Sequence, residues 1–330
     1  METKKIKSSP NNLNFLKDLT KDSYCSSNGP NPFTFLSFKS KISDIYYLIY
    51  SKENGYIIFY DLNSDQTVHE IKISSLTYDY IKFSYFFDEN KNRELMLTIS
   101  PYNAKFWNIN TASCLCNFDS NEWISCGCFA KGKTDTLVIL CVFNAVKIFD
   151  LKGNYISSIK CYDKKNFHLI YYYFDKGTKQ KFIILTSMNK VKSYNLSKQK
   201  KYFDYNSPEN HQIVIHNSKN ITKLIDGGFE QINIWNFHTG ELLNVIRVGE
   251  GKFFRGICLW DDQYLLLGNE NRILIIDINK QSSVGVLNAH FNFVLTIKKI
   301  IIPKYGECLI SQGLKNDQIK LWIFDELNYI

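Results

Sequence analysis

Two closely spaced cysteine pairs, Cys114-Leu115-Cys116 and Cys126-Gly127-Cys128, could supply the four thiolates of a structural zinc site. The predicted strand positions of the two pairs argue against a zinc site. The first pair falls on the outer strand of one repeat and the second on the inner strand of the next, several strand spacings of ~4.8 Å apart. We therefore predict no metal site. Nine cysteines scattered over predicted strands indicate reduced thiols and a cytoplasmic protein.

The histidines do not indicate a catalytic site. All six are spread along the chain without a Glu or Cys at ligand spacing. No residue is marked as the nucleophile of a Ser-His-Asp set. We predict a protein that is not an enzyme, with no catalytic residues and no cofactor.

A repeated segment supplies the framework for these residues. Seven times a β-rich run ends in a bulky residue, the anchor, and in the first six runs the next residue is Asp or Asn. Successive anchors are 41 to 47 residues apart, close to the ~40 to 45 residues of a four-stranded propeller blade. Short β-branched and aromatic runs argue against helical repeats. The anchors are Tyr60, Trp107, Phe149, Tyr194, Trp235, Ile276 and Trp322. The sequence predicts an all-β, seven-bladed β-propeller of four-stranded antiparallel blades.

Each repeat is interpreted as strands a to d, from the centre of the ring outward. An apolar run before each anchor strand, such as Tyr264 to Gly268, predicts strand b. Only eight residues follow Trp322, so we predict that Leu13 to Leu19 closes the ring as the outer strand of the last blade. Residues 13–330 are predicted to form this single domain, and the Lys- and Ser-rich residues 1–12 a disordered tail. No apolar run is long enough to predict a membrane span.

The segments resemble the WD40-repeat family, whose repeats carry Gly-His before strand a and Trp-Asp at the end of strand c. Trp107-Asn108 and Trp235-Asn236 are near matches. Blade seven matches best, because it has the residues that form a hydrogen-bonded chain of His, Ser, Asp and Trp in the family. These residues are His290 after Ala289, Ser311, Asn316 or Asp317, and Trp322. The resemblance implies that this chain ties blade seven together, and that the other blades rely on apolar packing.

Aromatic residues in predicted loops are candidate partner-binding residues. Phe253, Phe254 and Phe291 fall in predicted loops between strand d of one blade and strand a of the next, and Trp123 is a fourth candidate. Exposed aromatics there would be binding hot spots, whereas the alternative is that they are the first buried residues of strand a. Phe253-Phe254-Arg255-Gly256 also resembles the Phe-Arg-Arg-Gly motif of phosphoinositide-binding propellers. Only one arginine is present, although two forked guanidinium groups are needed for two phosphates.

Positive charge is concentrated around blade four. The formal net charge is +8, and residues 160–201 hold eleven lysines against two aspartates, a local excess of +9. Strand order brings the a-b and c-d turns of one blade to the same rim, where six of these lysines should converge. They are Lys176, Lys179, Lys181, Lys198, Lys200 and Lys201. This lysine rim is either a solvated surface or a binding site for an acidic partner.

The combination favours a non-enzymatic interaction scaffold that binds other proteins through the loop faces of the ring. We expect partners that include proteins with acidic surfaces or tails, and a role as a subunit of a larger complex. The alternative is a peripheral polyanion or phosphoinositide-membrane binder that uses the lysine rim, with Arg255 in support, and whose affinity falls steeply with salt. Nucleic acid and anionic membrane are the less favoured partners.

Overall fold

Seven small sheets make up the structure. The computed structural model describes residues 10, 13–19, 35–52, 55–73, 81–132, 135–143, 145–161, 167–187, 190–207, 212–218, 221–249, 254–314 and 318–324. These residues form 28 strands in seven four-stranded antiparallel sheets, and no α-helix occurs among them. The predicted seven-bladed β-propeller is confirmed. The predicted tail, 1–12, lies outside the described residues except for Pro10.

The strands follow one another as a, b, c and d in each blade. Blade one contains β2 (Phe35–Lys39), β3 (Tyr46–Lys52), β4 (Tyr56–Asp61) and β5 (Gln66–Lys72). Blade two contains β6 (Lys82–Asp88), β7 (Arg93–Ser100), β8 (Asn103–Asn108) and β9 (Ser113–Asp119). Blade three contains β10 (Ile124–Lys131), β11 (Thr136–Val142), β12 (Ala145–Asp150) and β13 (Tyr155–Lys160). Blade four contains β14 (Leu169–Phe174), β15 (Lys181–Ser187), β16 (Lys190–Asn195) and β17 (Lys200–Tyr205).

The remaining blades repeat this order. Blade five contains β18 (Gln212–Asn217), β19 (Thr222–Gly227), β20 (Gln231–Asn236) and β21 (Leu242–Arg247). Blade six contains β22 (Phe254–Leu259), β23 (Tyr264–Asn269), β24 (Arg272–Asp277) and β25 (Ser282–Asn288). Blade seven contains β26 (Val294–Ile302), β27 (Gly306–Gly313) and β28 (Ile319–Phe324), and its outer strand is β1 (Leu13–Asp18). All seven anchors lie on strand c, as predicted.

Ring closure by the N-terminal strand is confirmed. Strand β1 pairs antiparallel with β28, with Phe15 opposite the anchor Trp322. Two ion pairs of Asp65 reinforce the closure. Asp65 of blade one accepts a hydrogen bond from Lys17 of β1, and it lies 3.5 Å from the Lys304 ammonium of blade seven. Burial raises the pKa of Asp65, but the hydrogen bond and charge of Lys17 outweigh this effect and the pKa is lowered.

In blades one to six the polar residue after the anchor caps the turn between strands c and d. Asn236, for example, accepts hydrogen bonds through Oδ1 from the backbone N–H groups of His238 (2.9 Å) and Thr239 (3.3 Å). Asp61 does the same in blade one with the N–H of Asn63 (3.1 Å). Asp and Asn are equivalent here because each has an acceptor oxygen at the same distance from the backbone. Blade seven has Ile323 instead, since no c-d turn follows when the outer strand comes from the other end of the chain.

A β-bulge lies opposite the anchor in every blade. The pairing of strands c and d skips one residue beside each anchor. The skipped residue is always apolar or aromatic, and we call these seven positions the bulge residues. They are Leu16, Val68, Leu115, Ile156, Tyr202, Leu243 and Val284. Each bulge increases the local twist of the outer strand.

Adjacent blades pack through apolar faces, with one core cluster at each of the seven blade junctions. The expected polar chain in blade seven is confirmed in part, because Ser311 Oγ accepts from Trp322 Nε1 (2.8 Å) and contacts His290 Nε2 (2.8 Å). Asn316 and Asp317 lie outside the described residues.

Two other blades carry buried polar ties, so the expectation that they rely on apolar packing alone is wrong. Trp235 Nε1 donates to the buried carboxyl group of Asp226 (2.5 Å) in blade five. Trp107 Nε1 donates to Thr98 Oγ1 (2.9 Å) in blade two. In each case an anchor indole finds an acceptor on strand b of its own sheet, because a buried N–H left without one is costly.

Buried side chains also join the inner strands around the central channel. Gln212 of blade five donates through Nε2 to the Leu295 carbonyl of blade seven (3.1 Å) and accepts from the Ile257 N–H of blade six (3.0 Å). On the opposite side Lys82 of blade two donates to the carbonyl oxygens of Ser125 and His168, in blades three and four. Burial lowers the pKa of Lys82. These contacts hold the inner strands of six blades in a fixed arrangement.

Candidate functional site

Strand direction divides the ring into two loop faces. The d-a and b-c loops lie on one face, here called the top face, and the a-b and c-d turns lie on the other, the bottom face. The lysine rim therefore belongs to the bottom face and the candidate aromatics to the top face. The cysteine pairs lie where the sequence placed them, on β9 of blade two and β10 of blade three.

Three exposed aromatic residues lie on neighbouring segments of the top face at the junction of blades two and three. Trp123 is 39% exposed, and its ring makes an edge contact with Tyr102, whose centroid lies 5.7 Å away. Tyr102, 48% exposed, is in the b-c turn of blade two, and Phe143, 58% exposed, is in the b-c turn of blade three. We call Tyr102, Trp123 and Phe143 the aromatic cluster. Only Trp123 was among the residues predicted from sequence.

Backbone hydrogen bonds connect the three chain segments that carry the cluster. The N–H of Phe143 donates to the Trp123 carbonyl (3.1 Å), which ties the turn of blade three to the preceding d-a loop. The N–H of Ile124 donates to the Pro101 carbonyl (2.7 Å), which ties the same loop to blade two. Rigid aromatics lose little conformational entropy when a partner binds. The cluster is therefore preorganised for contact.

Phe143 adopts a backbone conformation that does not suit its side chain. The chain reverses within two residues between the paired Val142 and Ala145, and Phe143 has φ of +52°. The first position of such a hairpin turn favours Asn, Asp or Gly, and a bulky residue in the left-handed region costs about 1–2 kcal/mol. Positive φ recurs at eight other non-glycine residues of the described chain, including Glu230 and Glu270 in other b-c turns, but among the nine Phe143 has the only aromatic side chain. Because the Phe143 ring is exposed, its packing within the free protein offsets little of that backbone strain.

The other aromatic candidates have different surroundings. Phe291 is 91% exposed on the top face, and the Lys320 ammonium lies 5.6 Å from the centre of its ring. Phe254 is only 2% exposed and packs in the core between blades five and six, so its prediction as an exposed hot spot is wrong. It is the first buried residue of strand a, the alternative given for these positions. Phe253 lies outside the described residues.

Arg255 does not present an exposed fork for a phosphate. Its side chain is half-buried on strand a of blade six, and the guanidinium carbon lies 4.9 Å from the centre of the Phe293 ring. Burial lowers its pKa, and Nε has no hydrogen-bond partner among the described residues. A side chain stacked in this way does not fit the lipid-headgroup role that the resemblance implied.

The two lysine-bearing turns of blade four meet on the bottom face, as predicted. The N–H of Leu196 donates to the Lys181 carbonyl (2.8 Å), and Asn195 Nδ2 donates to Gln180 Oε1 (2.7 Å). Four lysines of the rim are exposed and form no ion pair in the part of the chain that the structure describes. They are Lys176, Lys179, Lys198 and Lys200.

The other two lysines of the rim are engaged locally. Lys181 donates to the Gly132 carbonyl of blade three (2.6 Å), and Lys201 pairs with Asp204 (3.0 Å). The rim therefore carries four available charges instead of the six that the spacing predicted. Each is a point charge on a flexible stem, without the planar fork of arginine.

No protein-family model matches the chain, and no curated protein is significantly similar to it. Within the described ranges no helix is long and apolar enough to cross a membrane.

Proposed function

We propose that this chain is a degenerate WD40-type propeller that acts as a non-enzymatic interaction scaffold and binds partner proteins through its top face. The aromatic cluster is the observation that carries the proposal. Binding energy at protein interfaces is concentrated in a few aromatic and arginine side chains near the centre of the contact. Tyr102, Trp123 and Phe143 offer three such side chains at one blade junction.

Two further features support this role. Polar side chains lie beside the cluster in the sequence and are hydrogen-bonded to one another: Glu122 pairs with Lys147 (2.5 Å), and Asp119 accepts hydrogen bonds from Asn103 and Asn117. A polar rim around exposed aromatics is the usual anatomy of a protein interface. The strained turn of Phe143 gives the second argument, since a less costly residue would serve the hairpin better.

The test is affinity capture from a lysate of the source cells, with quantitative mass spectrometry of the bound proteins. Trp123→Ala and Tyr102→Ala should each reduce recovery of the specific partners, and a purified partner should bind about 30-fold more weakly, as expected for loss of a hot spot worth about 2 kcal/mol. The comparison uses immobilised wild-type and variant protein at equal loading, with circular dichroism to show that each is folded.

Matched controls separate a specific surface from general stickiness. Ile42→Ala removes an exposed apolar side chain from the bottom face, and Phe229→Ala removes an exposed ring from the b-c turn of blade five. Neither should change partners that depend on the aromatic cluster. If Tyr102→Ala and Trp123→Ala retain every partner at wild-type recovery, the top-face proposal is wrong.

A further inference from the structure

The outer rim of the bottom face, where strand d begins in blades three to five, carries a second surface, distinct from the aromatic cluster. Tyr155, Lys201 and Leu242 occupy the same position in three successive blades, each directly opposite its anchor. Cross-blade contacts keep these positions in a row. Gln199 Nε2 of the blade-four turn donates to Ser157 Oγ of blade three (2.8 Å), and Tyr202 Oη of blade four lies 3.4 Å from His238 Nδ1 of blade five.

Apolar side chains flank blade four on both sides of this row. On blade three, Tyr155 is 59% exposed and the bulge residue Ile156 is 51% exposed. On blade five, Leu242 and the bulge residue Leu243 are also exposed. Exposed apolar side chains grouped on one edge of a protein commonly mark an interaction site.

The four available lysines lie at the bottom-face turns of blade four, the blade between these two flanks. Lys198 and Lys200 are at the c-d turn of blade four, and Lys176 and Lys179 are at the adjoining a-b turn. None has a carboxylate within ion-pairing distance in the described part of the chain. The edge thus presents cationic charge at its centre and apolar side chains on either side.

We propose that this edge docks on an anionic phospholipid bilayer, with the lysines at the headgroups and the apolar side chains in the interfacial region. Charge complementarity supports a negative surface, since each lysine near such a membrane adds to the attraction. The apolar flanks match the second requirement of interfacial binding, which is burial of hydrophobic side chains at the boundary of the acyl chains. We call these eight side chains the membrane edge.

Side-chain chemistry favours a bilayer over other polyanions. Single-stranded nucleic acid binds through several aromatic side chains on which successive bases stack, whereas Tyr155 is the one aromatic among the four apolar side chains of this edge. Lysines on flexible stems suit headgroups that are mobile and carry no fixed geometry.

The test is co-sedimentation of the full chain with extruded vesicles of phosphatidylcholine, with and without 30% phosphatidylserine. Wild type should bind the phosphatidylserine vesicles at about 50 mM salt and at least tenfold more weakly at about 300 mM salt. It should not bind vesicles of pure phosphatidylcholine. The quadruple variant Lys176→Glu, Lys179→Glu, Lys198→Glu and Lys200→Glu should lose at least a hundredfold in partitioning.

The apolar flanks have their own variant and control. Ile156→Ser combined with Leu243→Ser should weaken vesicle binding by tenfold or more, because both side chains would leave the interfacial region. Leu115→Ser changes the bulge residue of blade two, which is also exposed but has no lysine rim beside it, and should have no effect. For the charges, Lys198→Glu is compared with Lys280→Glu, the equivalent c-d turn position of blade six.

The outcomes that overturn the proposal are specific. Absence of binding to phosphatidylserine vesicles at low salt refutes it. Charge-dependent binding that is indifferent to Ile156→Ser with Leu243→Ser also refutes it, and tight binding to polyglutamate or to an oligonucleotide without vesicle binding would identify the surface as a site for those polyanions. Trp123→Ala should bind vesicles as wild type does, so the membrane edge and the top face fail or succeed independently.

Discussion

The strained turn at Phe143 makes a prediction whose sign can be tested. Ala and Gly both remove the ring, but only Ala retains a Cβ in the left-handed conformation at φ +52°. That conformation costs Ala about 1–2 kcal/mol, while Gly loses about 0.5–1 kcal/mol through the greater entropy of its unfolded chain. Phe143→Gly should therefore be more stable than Phe143→Ala by about 0.5–1 kcal/mol.

The control is an exposed phenylalanine with an ordinary backbone. Phe229, in the b-c turn of blade five, does not have positive φ. At this position Ala should be more stable than Gly by about 0.5–1 kcal/mol, because only the entropy difference remains. The order of the two variants is thus expected to reverse between Phe143 and Phe229. The difference in stability between the Gly and Ala variants at position 143, minus the same difference at position 229, should be about 1–2 kcal/mol, which equals the backbone strain at Phe143.

Urea unfolding followed by tryptophan fluorescence measures all four variants against wild type, and the differences between Ala and Gly are compared at a common denaturant concentration. Partner capture on the same samples asks whether both Phe143 variants lose the partners of the aromatic cluster, which would link the strain to function. If Phe143→Ala equals or exceeds Phe143→Gly in stability, the strained turn does not exist in solution and this support for the top-face site is lost.

Three further perturbations test how the ring is held together. Asp65→Asn should lower the free energy of unfolding by about 1–2 kcal/mol at neutral pH, because it weakens ring closure. The folded-state pKa of Asp65 is lowered, so this contribution is present above the unfolded pKa of about 3.9 and is lost as pH falls through the folded pKa. The unfolding midpoints of wild type and variant should therefore converge in acid. Gln212→Leu should lower the free energy of unfolding by about 2–4 kcal/mol, because the buried Ile257 N–H and Leu295 carbonyl both lose their hydrogen bond to the Gln212 amide. An unchanged urea midpoint would contradict the role of this side chain in joining the inner strands. Trp235→Phe should lower the thermal unfolding midpoint more than Trp107→Phe does. The first variant removes a hydrogen-bond donor from the buried Asp226 carboxyl group, whereas the second removes one from the Thr98 hydroxyl. Equal losses would mean that the identity of the acceptor does not matter.

Much of the fold was predictable because the repeat is local in sequence. The spacing of the anchors predicted the number of blades, and the short remainder after Trp322 predicted closure by Leu13 to Leu19. The turn residues predicted the hairpins, since a side chain such as Asn236 bonds to the backbone only two or three residues away. Contacts of this range depend on nearby sequence alone.

The candidate surfaces were predicted less completely because they depend on contacts between blades. Trp123 was a candidate, but its neighbours Tyr102 and Phe143 are 21 and 20 residues away in the sequence, and only the pairing of turns across a blade junction brings them together. An aromatic residue in a two-residue turn between strands b and c was the available signal. Phe254 was misplaced because exposure of the first residue of strand a depends on how closely the next blade packs against it.

By itself, then, the sequence determined the propeller, its closure and the side of the ring on which each turn lies, because these follow from strand order and from hydrogen bonds between near neighbours. It also determined the excess of lysine around blade four. Tertiary structure alone decided which lysines remain available, which aromatics are exposed, and that apolar flanks from blades three and five lie beside the lysine rim. Those properties depend on packing between segments far apart in the chain, where small differences in distance decide whether a side chain is buried, paired or presented to a partner.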